Sequence, residues 1–169
     1  YAVTGVQTCA LPIPRITPVP YLEPEEVRVI LEQPDRETEL GVRDHALLLF
    51  LFNTGARISE ALGMRLEDLS LNHPKQVRLH GKGQKDRFCP LWQETVDALQ
   101  KLLTVRRVQA GETLFRGVRG NALTRDGAAY ILRKYATLAA KKVPALLRQR
   151  ITPHTLRHAC AVSLLQGGV

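Results

Sequence analysis

The chain has 169 residues, which is enough for one domain with a sizeable hydrophobic core. Its 24 Lys and Arg exceed its 16 Asp and Glu, and the formal net charge of +8 favours a polyanionic partner. The three cysteines follow neither a zinc-ligand nor a disulfide pattern, and the longest apolar run is too short to cross a bilayer. We therefore expect a cytoplasmic protein with no metal, no other cofactor and no membrane span.

The positive charge is concentrated in the C-terminal part of the chain. Residues 1–100 contain 11 Lys and Arg against 14 Asp and Glu, whereas residues 101–169 contain 13 against two. Such an asymmetry is typical of a nucleic-acid-binding face, although a solvated basic surface would give the same counts. A nucleic acid is therefore the partner that the charge favours.

The first 20 residues differ from the rest of the chain. Residues 1–13 carry no charge and no regular period, and they resemble a translated sequencing adapter, so we expect them to be foreign to the fold. Residues 14–20 contain three prolines and predict an extended linker. We expect the folded domain to span residues 21–169.

The N-terminal half of this domain predicts three helices. Glu23 and Pro24 are suited to the start of the first, which we expect to end at Gln33 and Pro34. A second helix, predicted over residues 42–53, is apolar on most sides and should be the central buried one. Thr54 and Gly55 break it, and a short third helix is predicted over residues 59–64.

The remaining pattern predicts a β-hairpin and three more helices. Residues 76–80 and 87–91 read as the two strands, and residues 95–103 and 124–140 as amphipathic helices. Leu114 and Phe115 fit either a short strand or a connector. A last helix is predicted to open at Thr152 and Pro153. The fold class predicted is mostly α with a small antiparallel β-sheet (α+β).

Arg57 is the first candidate for a functional side chain. It follows the glycine turn in Thr54-Gly55-Ala56-Arg57 and immediately precedes a predicted helix, a place from which a side chain can point into a groove. The alternative is a surface arginine paired with Glu60 or Asp68, and this segment alone leaves the two open.

The tip of the predicted hairpin supplies a second candidate. Gly81-Lys82-Gly83-Gln84-Lys85-Asp86 has two glycines that allow a close approach to a ligand. It lacks the spacing of a Walker A loop. A lysine-rich tip is often only solvated, so a functional role for Lys82 and Lys85 is indicated only in combination with the other candidate residues.

The opening of the last helix is the strongest local signal. His154 and Arg157 are three residues apart, which places both on one helix face beside a positive helix N-terminus. Leu156, Ala159, Ala161 and either Leu164 or Leu165 are then expected to hold the helix to the core.

Three further basic residues lie on the polar side of the helix predicted over 124–140. They are Arg125, Arg133 and Lys134, and with Lys85 they are our candidates for contacts to DNA.

The order Arg57, Lys82, His154-x-x-Arg157, with the stretch Thr-Pro-His-Thr-Leu-Arg-His-Ala, resembles the catalytic domain of tyrosine recombinases, the phage-integrase family. The resemblance runs from Tyr21 to Val169. It implies a mostly helical domain that holds one side of a DNA duplex. It also implies that a tyrosine attacks the scissile phosphate, forms a 3′-phosphotyrosyl link and releases a 5′-hydroxyl without ATP or metal.

The resemblance assigns a role to each candidate. Arg57 and Arg157 would hold the non-bridging phosphate oxygens and stabilise the charge of the transition state. Lys82 would protonate the leaving 5′-oxygen, with Lys85 as the fallback. His154 would orient the phosphate or take the tyrosine proton.

The chain also departs from the family pattern. The family's tyrosine, and a further His or Trp, lie some tens of residues beyond its His-x-x-Arg, whereas only 12 residues follow Arg157. Tyr130 and Tyr135 precede that motif, and Tyr135 falls on the apolar stripe of its helix, so we expect it in the core. We therefore expect a fragment that binds DNA weakly without cleaving it. The resemblance also implies that the full-length parent acts as a tetramer on DNA.

Two other functional classes stay open. A non-catalytic DNA-binding or recombination-regulating protein could keep the basic half without a nucleophile. A type IB topoisomerase-like enzyme shares the Arg, Lys and His chemistry, but the compact spacing here argues against it.

Overall fold

The computed structural model of the protein describes residues 21–81, 83 and 85–166. Six α-helices and three short β-strands follow one another along this part of the chain. The helices are α1 (Pro24–Leu31), α2 (Glu39–Thr54), α3 (Ile58–Gly63), α4 (Gln93–Val105), α5 (Arg125–Ala139) and α6 (Pro153–Gln166). The strands are β1 (Leu69–Ser70), β2 (Gln76–His80) and β3 (Asp86–Pro90). The mostly helical fold with a small antiparallel sheet is as predicted.

Helix α2 forms the centre of the core, as its all-round apolar sequence predicted. Leu47, Leu48 and Phe50 are fully buried, and α2 packs against both α4 and α6. The helix begins at Glu39, three residues earlier than predicted, because Thr38 caps it: its Oγ1 accepts a hydrogen bond from the backbone N–H of Gly41 at 3.1 Å.

The strands form an antiparallel sheet in the order β1-β2-β3. Val77 in the central strand pairs with Leu69 of β1 and Cys89 of β3, and it is fully buried. The hairpin was predicted, but β1 was not, since a two-residue strand leaves no periodic signal. Leu114 and Phe115 form a buried connector. The Leu114 N–H donates to the carbonyl of Met64 at 2.9 Å, and an isolated β-bridge flanks the connector on each side in the sequence.

A buried polar network fixes α5 against α2. The hydroxyl of Tyr135 donates to Asp44 Oδ2 at 2.9 Å, and Arg43 Nε donates to Asp44 Oδ1 at 2.8 Å. Arg43 also donates from Nη1 to the carbonyl of Arg116 at 3.0 Å, which holds the segment leading into α5. Tyr135 is 3% exposed, so its predicted place in the core is confirmed.

The packing predicted for α6 is right for its first half and wrong for its second. Leu156 and Ala159 are buried, as is Cys160, which was not predicted. Ala161 is exposed because it lies on the opposite side of the helix from this stripe, and Leu164 and Leu165 are also exposed because the core contacts of α6 end with Cys160.

The other predicted boundaries differ from the observed ones by only one to three residues. The 3₁₀ helices Leu66–Asp68 and Pro144–Arg148 were not predicted. The N-terminal segments predicted over 1–13 and 14–20 lie outside the described residues.

Candidate functional site

The turn that ends α2 requires glycine. Gly55 has φ +54°, a left-handed conformation that glycine adopts without strain. A Cβ at this position would lie 3.2 Å from Cys160 Sγ and 3.9 Å from Arg157 Cγ. The turn therefore brings the chain before Arg57 into close contact with the first turns of α6.

Arg57 is the N-cap residue of α3, and its pairing with Glu60, one of the alternatives that the sequence left open, is observed. Its Nη1 donates to Glu60 Oε1 at 3.0 Å, and its backbone N–H donates to Glu60 Oε2 at 2.9 Å. The side chain is still 57% exposed. No other guanidinium hydrogen bond joins Arg57 to a described residue, so the remaining donors of its fork face solvent.

Helix α6 presents His154 and Arg157 from its first two turns. Thr152 and Thr155 cap this end, since the N–H of each is bonded to the hydroxyl of the other at 3.2 and 3.3 Å. Arg157 Nη1 donates to the carbonyl of Gly55. This contact links α6 to the turn after α2, across 102 residues of sequence.

A cleft of about 220 Å³ joins these elements. The residues that line it are Ala56, Arg57, Ile58, Arg125, Asp126, Ala129, Pro153, His154 and Arg157. It thus gathers three arginines, from the start of α3, the start of α5 and α6, around one exposed histidine. Asp126 is its only carboxylate.

Such a cleft is suited to a phosphate group. Arginine guanidinium groups bind phosphate oxygens through charge-assisted hydrogen bonds. The N-terminus of the 14-residue helix α6 adds its own positive potential at the same wall. Three of the four predicted catalytic residues, Arg57, His154 and Arg157, meet here, together with Arg125 from the predicted DNA-contacting set.

Glu60 connects the hairpin of β2 and β3 to Arg57, which lines this cleft. Arg87 of β3 donates to Glu60 through Nη2 at 2.7 Å and Nη1 at 3.1 Å. Burial by itself would raise the pKa of Glu60, but the hydrogen bonds from Arg87 and Arg57 outweigh it and lower that pKa to about 2. Glu60 is therefore a carboxylate at any physiological pH.

The two lysines of the hairpin tip are placed differently. Lys82 lies outside the described residues, so its predicted role stays a prediction. Lys85 is exposed, and its carbonyl accepts a hydrogen bond from Gly81 N–H at 3.0 Å, which closes the base of the loop.

Arg133 and Lys134 do not line the cleft. Arg133 lies beside it, in a neighbouring groove of about 230 Å³ that also contains Arg150 and Asp126. Lys134 Nζ sits 4.7 Å from the ring centre of Tyr135, in a cation–π contact. Arg133 therefore lies on the surface beside the cleft, whereas Lys134 lines a separate groove with Tyr130 and Arg133.

None of the three described tyrosines lines the cleft. Tyr135 is buried, and burial together with its hydrogen bond to Asp44 raises its pKa, which makes it a poor nucleophile. Tyr130 is 62% exposed on α5 and lines a separate groove with Arg133 and Lys134.

A larger cleft of about 470 Å³ lies between α1, α2 and the start of α4. Its lining includes Glu25, Arg28, Arg36, Trp92 and Glu94. Charges of both signs alternate there, and none of the predicted site residues lines it, so it is less suited to a phosphodiester than the smaller cleft.

Sequence reasoning missed two contributors to the site. Arg87 was not considered, and Asp126 was noted only as one of two acids in a basic half. Glu60 was predicted only as a possible ion-pair partner of Arg57, which its three-residue spacing allows. No local signal points to Arg87, because its partner lies 27 residues away.

Within the part of the chain that the structure describes, no group of three or more His, Cys, Asp or Glu side chains is placed to hold a metal ion. No described helix is long and apolar enough to span a membrane.

The chain matches a known protein family along most of its length. The family model described as "Phage integrase family" matches residues 20–169. The chain belongs to the phage integrase family. The match covers all of the described domain, including the three segments that line the cleft.

Individual relatives agree with this membership. A putative integrase/recombinase, y4rC of Sinorhizobium fredii, is 39% identical over 164 residues, covering 95% of this chain and 49% of the relative. Tyrosine recombinase XerC of Myxococcus xanthus is 37% identical, covering 92% of this chain and 51% of that protein. The chain thus spans about half the length of these curated relatives.

Solved recombinase structures share the fold. The crystal structure of XerA recombinase superposes with a TM-score of 0.75 at 26% identity, over 94% of this chain and 53% of that one. The XerH site-specific recombinase bound to palindromic difH substrate, a post-cleavage complex, gives a TM-score of 0.71 at 26% identity, over 87% of this chain and 42% of that one.

Proposed function

We propose that this chain supplies the phosphate-binding part of a tyrosine recombinase that cuts and rejoins double-stranded DNA at specific sites through a 3′-phosphotyrosyl intermediate. The observation that carries the proposal is the cleft in which Arg57, His154 and Arg157 meet. Family membership and the recombinase names of the relatives support it.

Arg57 and Arg157 act as the phosphate clamp. Arg57 is held by Glu60 through one nitrogen, and Arg157 is held by the Gly55 carbonyl through one nitrogen, so each keeps other donors for phosphate oxygens. Because these contacts fix both side chains before DNA arrives, little reorganisation is needed when negative charge builds up in the transition state.

His154 acts at the rim of the same cleft. It is exposed at the start of α6, next to the phosphate position that the arginines define. An imidazole can both donate and accept a hydrogen bond, so His154 can orient the phosphate or accept the proton of an attacking tyrosine.

Protonation of the leaving 5′-oxygen falls to Lys82, with Lys85 as the fallback. The supporting observation is that the base of their loop lies against the Glu60 cluster, which also contacts Arg57. Gly81, which precedes Lys82 in the sequence, therefore lies close to the carboxylate that pairs with Arg57.

The attacking tyrosine is not one of the three described tyrosines, since none of them lines the cleft. We infer that residues 21–169 are part of a catalytic domain, preceded by a linker at 14–20 and a foreign segment at 1–13. The 169-residue chain by itself would then bind DNA weakly without cleaving it.

The DNA duplex lies across the cleft and the basic surface beside it. Arg125 reaches into the cleft, and Arg133, Lys134 and Lys85 contact the flanking phosphates. In the full-length protein we propose four copies acting on two duplexes.

A chimeric recombinase tests the catalytic assignment. Residues 21–166 replace the matching segment of XerC from Myxococcus xanthus, and covalent protein–DNA adducts are counted on denaturing gels with that relative's DNA site. Arg57→Ala and Arg157→Ala should each slow adduct formation by about 100-fold to 1,000-fold. Arg78→Ala is the control, because Arg78 pairs with Asp68 and does not line the cleft.

Two outcomes would contradict the proposal. Adduct formation that survives both arginine substitutions would mean that the cleft does not bind the scissile phosphate. An adduct formed by the 169-residue chain alone would mean that one of its own tyrosines is the nucleophile.

A further inference from the structure

Glu60 is a nearly buried carboxylate that two arginines from different elements share. Its side chain is only 4% exposed. Arg57 reaches it from the start of α3, and Arg87 reaches it from β3. The carboxylate therefore joins the helix that carries the phosphate-clamp arginine to the hairpin.

Four hydrogen bonds occupy all of the acceptor positions of the Glu60 carboxylate. Oε1 accepts from Arg57 Nη1 at 3.0 Å and from Arg87 Nη1 at 3.1 Å. Oε2 accepts from the Arg57 backbone N–H at 2.9 Å and from Arg87 Nη2 at 2.7 Å. An ionised carboxylate offers about four acceptor sites, so each arginine occupies half of them and constrains the other.

The base of the lysine loop lies against the same cluster. A Cβ built on Gly81 would stand 3.9 Å from Glu60 Oε1 and 3.8 Å from Arg87 Nη1. It would also lie 2.8 Å from the Lys85 carbonyl, so only glycine fits without a shift. Lys82 follows Gly81 in the sequence, and its loop starts at this point.

We propose that Arg87 is a positioning residue of the site: acting through Glu60, it holds the Arg57 side chain in the orientation that binds phosphate. The phosphate-binding part of this inference rests on the proposed function. Arg87 itself does not line the cleft and does not touch the substrate.

The bidentate geometry explains why an arginine is needed. Two parallel N–H···O bonds fix the plane of the Glu60 carboxylate, which then fixes the direction from which Arg57 can bond to it. A lysine at position 87 would keep the charge but would make a single, rotatable contact. Without any cation there, the plane of the Glu60 carboxylate is no longer fixed, and the Arg57 guanidinium that bonds to it can reorient.

Arg78 offers a matched control in the neighbouring strand. Its side chain is 42% exposed against 40% for Arg87, and it too pairs with a carboxylate whose side chain is 3% exposed, Asp68. This pair is a single contact at 3.3 Å and does not involve a residue of the cleft.

The first measurement needs no ligand. In the 169-residue chain, the ¹⁵N heteronuclear NOE of the Arg57 Nε–Hε group reports the order of that side chain. Arg87→Ala should lower it strongly, Arg87→Lys should lower it partly, and Arg78→Ala should leave it at the wild-type value. A wild-type NOE in both Arg87 variants would overturn the proposal, and circular dichroism checks that each variant is folded.

The second measurement titrates inorganic phosphate while the ring resonances of His154 are followed. Arg87→Ala should weaken phosphate binding by about tenfold, as expected when a charge-assisted contact loses its alignment. In an Arg57→Ala background the same substitution should have no further effect. Equal effects of Arg87→Ala in both backgrounds would overturn the proposal, because Arg87 would then act independently of Arg57.

The two measurements separate this inference from the proposed function. If the wild-type chain bound no phosphate at His154 while the NOE of Arg57 still depended on Arg87, the phosphate cleft would be refuted and the positioning role would stand.

Discussion

Replacing Gly55 by alanine should destabilise the protein through two separable costs. A non-glycine residue at φ +54° costs about 1 to 2 kcal/mol. The new Cβ would also stand 3.2 Å from Cys160 Sγ. This buried thiol has little room to move, because it donates a hydrogen bond to the Asn53 carbonyl at 3.7 Å. Overpacking of this kind adds about 1 to 3 kcal/mol, so the total expected loss is about 2 to 5 kcal/mol.

Urea unfolding of the 169-residue chain, followed by circular dichroism, measures this loss. Gly111→Ala is the matched control, because Gly111 has φ +80° but no atom within 4 Å of the new Cβ, so it reports the conformational cost alone. Repeating Gly55→Ala in a Cys160→Ala background should remove the steric part and bring the cost down to that of Gly111→Ala. Equal costs for Gly55→Ala and Gly111→Ala in the wild-type background would refute the close contact between the α2 turn and α6.

Three further predictions concern other parts of the molecule. Hydrogen bonds to Asp68 and Asp86 raise the pKa of His80 above its ordinary value of 6.5, so its stabilising contribution is full below pH 6.5 and is lost as pH rises through the higher folded-state pKa. The stability difference between wild type and His80→Gln in urea should therefore shrink between pH 6 and 9, and a constant difference would contradict the pairing. Tyr135→Phe should cost about 1 to 3 kcal/mol in the same assay, because it removes a hydrogen bond to the buried Asp44, whereas the exposed Tyr130→Phe should change stability by less than about 0.5 kcal/mol. The affinity of the chain for a DNA duplex, measured by fluorescence anisotropy, should fall steeply with salt, and a flat dependence would refute the role of the basic C-terminal half.

Local patterns were sufficient to predict most of the secondary structure. The apolar stretch of α2, the alternation of β2 and the proline at the start of α6 each determine a local conformation, and each lies where it was predicted. The opening of α6 also placed His154 and Arg157 on one face of a helix, which depends only on helical geometry.

Contacts between distant segments were not predictable in the same way. The bond between Glu60 and Arg87 and the bond between Asp44 and Tyr135 join residues 27 and 91 positions apart. Their partners are set by how the hairpin and α5 pack on α2 and α3, and a sequence period carries no information about that packing. Either Leu164 or Leu165 was expected in the core, and both are exposed, because apolar residues at helical spacing are buried only where another element covers them.

Arg57 shows why the two interpretations of a charged residue need not compete. The sequence left open whether it pairs with Glu60 or points into a groove, and in the structure Arg57 pairs with Glu60 and is also one of the residues that line the cleft. The ion pair takes one nitrogen of a guanidinium group that has five N–H donors, so other donors stay available.

A crystal structure of this chain bound to a DNA duplex would show which surface holds the backbone phosphates. We expect one backbone phosphate in the cleft, with its non-bridging oxygens within about 3 Å of guanidinium nitrogens of both Arg57 and Arg157 and with His154 beside it. A duplex bound on another face, or a phosphate that contacts neither arginine, would contradict it.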